Sequence, residues 1–140
     1  MFLGGLVGFE REQLNRPAGF RTHIIVAGAA ALLVLLTDVL ITHFSVEQYG
    51  ESLRTDPIRI VEAVVTGVSF LGAGTIFTSG KGHTVKGLTT AAALLLSAAI
   101  GIAVALHQYV LAVGTTLLAL VVLRLLRNVD ASVGGSDADH

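Results

Sequence analysis

"GLTTAAALLLSAAIGIAVAL", Gly87 to Leu106, decides how the chain is read, because its 20 residues include no charged side chain. A helix on the surface of a water-soluble bundle keeps one polar face, and this stretch has none. Its length matches the roughly 20 helical residues that cross a hydrocarbon core about 30 Å thick. Hydrocarbon rather than water is therefore the expected medium. With no water to bond, the backbone must satisfy itself as an α-helix.

Three more apolar runs lie around this one. Ile24 to Ile41 is broken only by Thr37 and Asp38, and Ile58 to Phe77 has Arg59 and Glu62 near its start. Tyr109 to Leu123 carries no charge and reaches Leu126 if Arg124 extends its guanidinium to the interface. Each, the last in its longer form, falls within the range of about 17 to 25 residues for a membrane helix. Composition agrees: 14% of residues are charged, against about 25% in soluble domains, and the mean hydropathy is +0.77.

Met1 to Phe9 is apolar but too short to span. No basic region precedes it and no small-residue cleavage site follows, so it does not read as a signal peptide. The chain is expected to begin inside a first membrane helix. The expected fold is thus all-α: a polytopic transmembrane bundle of four full helices plus a truncated first one, occupying residues 1–127. Residues 128–140, rich in Gly, Ser and Asp, are expected to form a disordered polar cytoplasmic tail. Asp56-Pro57 is a helix-start signal, while Pro17-Ala18-Gly19 and Thr78 to Gly82 punctuate loops.

Placement of charge sets the expected orientation. Seven of the nine Lys and Arg residues fall in the first loop, the third loop and the C-terminal side. Arg54 and Arg59 fall on the opposite side. The positive-inside rule puts the larger set in the cytoplasm, with the N-terminus outside and the C-terminus inside.

Three groups of residues are candidates for function. At the inner membrane level Glu10, Arg11, Arg21, Thr22, His23, Lys86, Gly87, Thr89 and Thr90 converge, suited to a buried hydrogen-bonded network or to binding an anion or a partner. Small residues form the second group. Thr89, Ala93, Ser97, Gly101 and Ala105 recur at every fourth position, and "GVSFLGAGTIF" places Gly67, Gly72 and Gly74 inside an apolar run. Gly67, Gly72, Gly74, Ala93, Ser97 and Gly101 are expected at helix contacts, where small side chains let helices approach closely. Packing within one chain is the simpler use, and a homo-oligomer interface the other. The third group is Asp38 with Glu62, two intramembrane carboxylates at the same outer level. Jointly they would suit Mg²⁺, the one cofactor considered. Alternatively, Glu62 pairs with Arg59 and Asp38 sits at the interface beside Thr42 and His43. The chain has no Cys, no metalloprotease or phosphate-loop motif and no nucleophile elbow. Neither enzymatic activity nor a nucleic-acid partner is expected.

Taken together, "GLVGFERE" at 5–12, "AGFRTH" at 18–23, "DPIRI" at 56–60, "GVSFLGAGTI" at 67–76 and "KGLTTAAALLLSAAIG" at 86–101 resemble the MgtC/SapB family of bacterial inner-membrane proteins. The resemblance covers nearly the whole chain before the tail. Where that family commonly carries Arg, Trp and Gln, this sequence has Lys86, Leu95 and Ala63. Lys86 keeps the charge but lacks the planar fork of a guanidinium. A counterpart of the soluble cytoplasmic domain of the virulence-associated members is not expected in these residues. The resemblance implies an inner-membrane protein linked to growth at low magnesium and to survival in hosts, regulatory rather than a proven transporter. It also implies contact with membrane partners, of which the proton-driven ATP synthase is one.

Overall fold

Each apolar run becomes a helix, but not always with the boundaries that hydropathy suggests. The computed structural model describes residues 1–43, 57–79 and 84–133. Helix α1 is Phe2–Gln13, α2 Phe20–His43, α3 Pro57–Ala73, α4 Leu88–Ala105 and α5 Tyr109–Val133. Strands β1, Phe77–Ser79, and β2, Thr84–Lys86, pair antiparallel between α3 and α4, with Phe77 opposite Lys86 and Ser79 opposite Thr84.

The five helices meet the all-α expectation in the main; the ribbon is a local departure from it. The apolar run expected to stay helical to Phe77 stops at Ala73. Gly72 and Gly74 weaken the last turn, and the Thr75 hydroxyl donates to the Gly72 carbonyl at 2.7 Å. The chain then leaves the helix, and Phe77, Thr78, Thr84 and Val85 are residues that favour extended backbone. At the far end α5 continues to Val133, past the expected boundary at Arg127. The rest of the expected tail, 134–140, and Asp56 lie outside the described residues.

Helix α4 is the centre of the bundle and touches all four other helices. With Val26 and Ala30 of α2 and Val64 and Val68 of α3, its Leu94, Ala98 and Ile102 form one core cluster. Its Ala93 and Ile100 form a second with Val7 of α1 and Ala112 of α5. The α2–α4 crossing is tight: a Cβ at Gly101 would land on the Ala27 carbonyl. Gly4 and Gly8 do the same for α1 against α2, where added Cβ atoms would lie 2.7 Å from Ala27 Cβ and 2.8 Å from His23 Cβ. In hydrocarbon no water is released when apolar side chains meet, so dispersion at such close crossings carries the packing.

Among the described residues two helices, α2 over Phe20–Leu40 and α4, are long and apolar enough to cross a membrane. The 17-residue α3 and the apolar Tyr109–Arg124 part of α5 are shorter than the full spans expected of them. The outer surface is apolar as well. Ile25, Leu32 and Val39 of α2 and Leu117, Leu118 and Val121 of α5 all point away from the bundle, and Val110 is 90% exposed. Continuous apolar faces of this kind are covered by lipid or by another protein. The molecule is a membrane protein.

Candidate functional site

The charged first loop is shaped by a sharp reversal. Helix α1 ends at Gln13, and Asn15 and Ala18 adopt positive φ values of 49° and 57°. The chain turns back, and Phe20 donates its backbone N–H to Glu12 Oε2 at 2.8 Å. This carboxylate caps the start of α2, where unpaired N–H groups and the helix dipole both favour an anion. Glu12 thereby has a role that sidedness alone did not supply.

One residue earlier on α1 the environment changes. Glu10 and Arg11 are each only 4% exposed, and Arg11 Nη2 donates to Thr90 Oγ1 of α4 at 3.0 Å. His23 is fully buried, and its Nδ1 donates to the Gly19 carbonyl at 2.9 Å, which leaves Nε2 as an acceptor. Among the described residues, both Glu10 carboxylate oxygens, Arg11 Nε, His23 Nε2 and Ser97 Oγ have no hydrogen-bond partner. Burial pulls the Arg11 guanidinium below its ordinary pKa, Glu10 pushes it back up and Arg16 adds a smaller lowering.

A cavity of about 320 Å³ opens beside this cluster. Arg11 lines it from the end of α1, Arg16 from the first loop, Lys86 from β2, Gly87, Thr89 and Thr90 from the start of α4, and Leu123 from α5. Gly87 sits at φ 92°, and a Cβ there would collide with the Thr75 carbonyl, so glycine alone fits the turn into α4. Five of the nine residues expected to converge at this level, Arg11, Lys86, Gly87, Thr89 and Thr90, do line one space. Arg21 and Thr22 do not: they are exposed and border a separate depression with Glu12, Arg16 and Gly19. Arg16 joins the cavity although no spacing rule distinguished it from the other loop arginines.

The opposite end holds a larger cavity of about 520 Å³ between α2, α3 and the α4–α5 corner. Thr37, Asp38, Ile58 and His107 are among its lining residues, but Glu62 is not. No group of three or more metal-ligating side chains occurs among the described residues. That corner is closed by a Schellman turn, in which His107 at φ 59° donates to Val104 at 3.1 Å and Gln108 to Ala103 at 2.8 Å.

Among the expected packing residues, Ala93, Ser97 and Gly101 are buried on α4. Gly72 meets α4 too, where a Cβ would lie 3.2 Å from Ala91 Cβ. Packing within the chain, among the described residues, does not use Gly67 or Gly74. A Cβ at Gly67 meets nothing within 4 Å, and one at Gly74 meets only the preceding turn of its own helix, at Leu71 O. Gly67 faces outward, and Gly74 belongs to the helix end.

Comparison with known proteins places this geometry in context. A family model described as the MgtC family matches residues 1–132. The Brucella abortus "Protein MgtC" is 43% identical over 100 residues, 71% of this chain and 37% of that protein. The Salmonella typhimurium "Protein MgtC" is 38% identical over 130 residues, 91% of this chain and 49% of that one. The Escherichia coli K12 protein named "Putative magnesium transporter YhiD" is 36% identical over 126 residues, 86% of this chain and 54% of that one. The chain spans about half the length of such curated relatives or less. No solved structure matches.

Proposed function

The chain belongs to the MgtC family, and from that premise we propose that it is a regulatory protein of the bacterial inner membrane. It serves adaptation to low magnesium by helix–helix contact with a membrane-protein partner, with its N-terminus outside and its C-terminus in the cytoplasm. The observation that supports this most is the outward face of α3. Ala63, Gly67 and Phe70 are all exposed there, Phe70 to 80%. A glycine inside a helix costs about 1 kcal/mol relative to alanine, and among the described residues nothing uses the space at Gly67. Fluid acyl chains need no such notch, whereas a second helix gains close approach from it.

A photo-crosslinking side chain at Phe70, activated in native membranes, tests the reading. The expected result is a protein adduct that is lost in Gly67→Leu and is not formed from a crosslinker at Val110. Lipid adducts alone from both positions would overturn it. An adduct between two copies of this chain would replace the heterologous partner with self-association.

A second reading, Mg²⁺ binding or transport, is favoured by the cavity beside Asp38 and by the name "Putative magnesium transporter YhiD" that one relative carries. Against it stands the apolar cluster of Val26, Ala30, Val64, Val68, Leu94, Ala98 and Ile102, which lies between the two end cavities. Proteoliposomes loaded with a Mg²⁺ indicator separate the readings: transport requires a flux that falls in Asp38→Asn.

A further inference from the structure

The cavity at the start of α4 has a chemistry that helix contact does not use. Three cationic side chains line it, Arg11, Arg16 and Lys86, and no carboxylate does. The two acidic residues of the same loop are placed elsewhere. Glu12 is engaged at the α2 start, and Glu10 lies buried next to Arg11 without lining the cavity. The first hydrogen bond that closes α4 runs from Ala91 N–H to Gly87 O at 2.9 Å, so the N–H groups of Leu88, Thr89 and Thr90 precede the ladder. Gly87, the residue at the cap position, has no side chain with which to satisfy them. The positive end of an 18-residue helix therefore faces the same space as the three cations.

The strongest sign of a ligand is Arg11 itself. It is 4% exposed, lines the cavity, spends one donor on Thr90 and leaves Nε without an acceptor. A guanidinium has five N–H donors and keeps its charge at any physiological pH. No carboxylate lies at ion-pair distance from it among the described residues. Glu10 beside it offsets part of the charge but accepts no hydrogen bond from it, so the buried Nε stays unsatisfied until an acceptor reaches it.

We propose that this cavity binds a phosphate-class oxyanion through Arg11, Arg16, Lys86 and the free N–H groups at the start of α4. Arg11 reaches the anion from the buried side with a planar fork, and Arg16 and Lys86 close over it from the exposed side. Thr89 and Thr90 add hydroxyl groups at the same helix end. Two sources share this chemistry: free inorganic phosphate and the phosphodiester of an anionic lipid headgroup. Phe77 and Leu123 on the cavity wall would lie along the glycerol and acyl portion of the second. The site is independent of the outward face of α3, so either can fail without the other.

The experiment uses the full chain in two settings. In neutral detergent, inorganic phosphate is titrated by calorimetry. In nanodiscs, bound phosphatidylglycerol is counted by native mass spectrometry against a phosphatidylcholine background. Saturable binding of free phosphate assigns the soluble source, while selective retention of phosphatidylglycerol without phosphate binding assigns the headgroup. In either case Lys86→Gln and Arg16→Gln should each weaken binding about tenfold, and Lys86→Arg should restore it. Arg21→Gln removes a cation from the same loop that does not line the cavity, and it should leave affinity unchanged. Saturable binding of neither probe overturns the proposal. So does an equal loss in Arg21→Gln, which would mean that loop charge alone attracts the anion.

Discussion

Gly101→Ala and Gly67→Ala exchange the same hydrogen for the same methyl group and should shift stability in opposite directions. At Gly101 the new Cβ would fall on the Ala27 carbonyl, 2.9 Å from its carbon and 3.1 Å from its Cα. Carbon atoms rest about 3.5–4.0 Å apart, and a helix backbone cannot rotate aside as a side-chain tip can. Helices α2 and α4 must therefore part by roughly 0.5–1 Å, which forfeits a quarter to a half of each facing contact's ~0.1–0.2 kcal/mol. If Leu94 and Ile102 each turn about 20 such contacts toward α2, the loss is about 1.5–3 kcal/mol. The better helix propensity of alanine returns about 1 kcal/mol. The net effect is a destabilisation of about 0.5–2 kcal/mol, set against a gain of about 0.5–1 kcal/mol at Gly67, where the methyl meets open space. Thermal unfolding in a single detergent should resolve the pair, since each kcal/mol shifts the midpoint by roughly 3–6 °C at this chain length. A Gly101→Ala midpoint at or above that of the parent protein would refute the tight crossing on which the bundle is built.

Three further outcomes follow from the same packing. Thr90→Val leaves Arg11 Nη2 without its acceptor and should destabilise by about 1–3 kcal/mol, with Thr90→Ser recovering most of the loss in the same melting experiment. Glu12→Ala removes the carboxylate at the start of α2 and should cost about 0.5–2 kcal/mol, with Glu12→Gln falling between it and the parent. Because the chain lacks cysteine, single introduced thiols report sidedness cleanly. Gln108→Cys should react with an impermeant maleimide in intact cells and Lys86→Cys only after permeabilisation, while labelling of both from one side would contradict the up-and-down arrangement.

The central helix was legible because its apolarity is unbroken, but the structure supplies a fuller reason. Helix α4 touches all four neighbours on its buried side, while Leu88, Ala92, Leu95 and Ala99 form an exposed apolar stripe on the other, so a polar face would have met protein on one side and hydrocarbon on the other. The end of α3 was not legible, because hydropathy averages over Gly72, Gly74 and Phe77 alike. What stops the helix is glycine entropy and one threonine hydroxyl. Spacing alone also could not separate Gly101 from Gly67. A four-residue repeat of small side chains says that one face is small, not whether that face turns inward. At the basic end the sequence collected the right loop but not the right arginines. Helix α1 carries Arg11 to α4, while the turn through Asn15 and Ala18 brings Arg16 beside it and leaves Arg21 outside, and that geometry depends on two positive φ angles with no glycine to announce them.

These placements divide the basic residues into two kinds. Arg16, Arg21 and Lys86 are exposed and can orient the chain by meeting interfacial water and anionic headgroups. Arg11 is buried and bonded to a helix 79 residues away in sequence, so its contribution is to hold α1 against α4. The same short helix places Val7 in the second core cluster and sets Gly4 and Gly8 against α2. Removing the arginine's partner would therefore disturb more than one hydrogen bond: α1 would lose its polar anchor while its apolar contacts remained. In lipid those contacts gain nothing from water release, so the Arg11–Thr90 bond adds a directional anchor against α4 to the close crossing of Gly4 and Gly8 on α2.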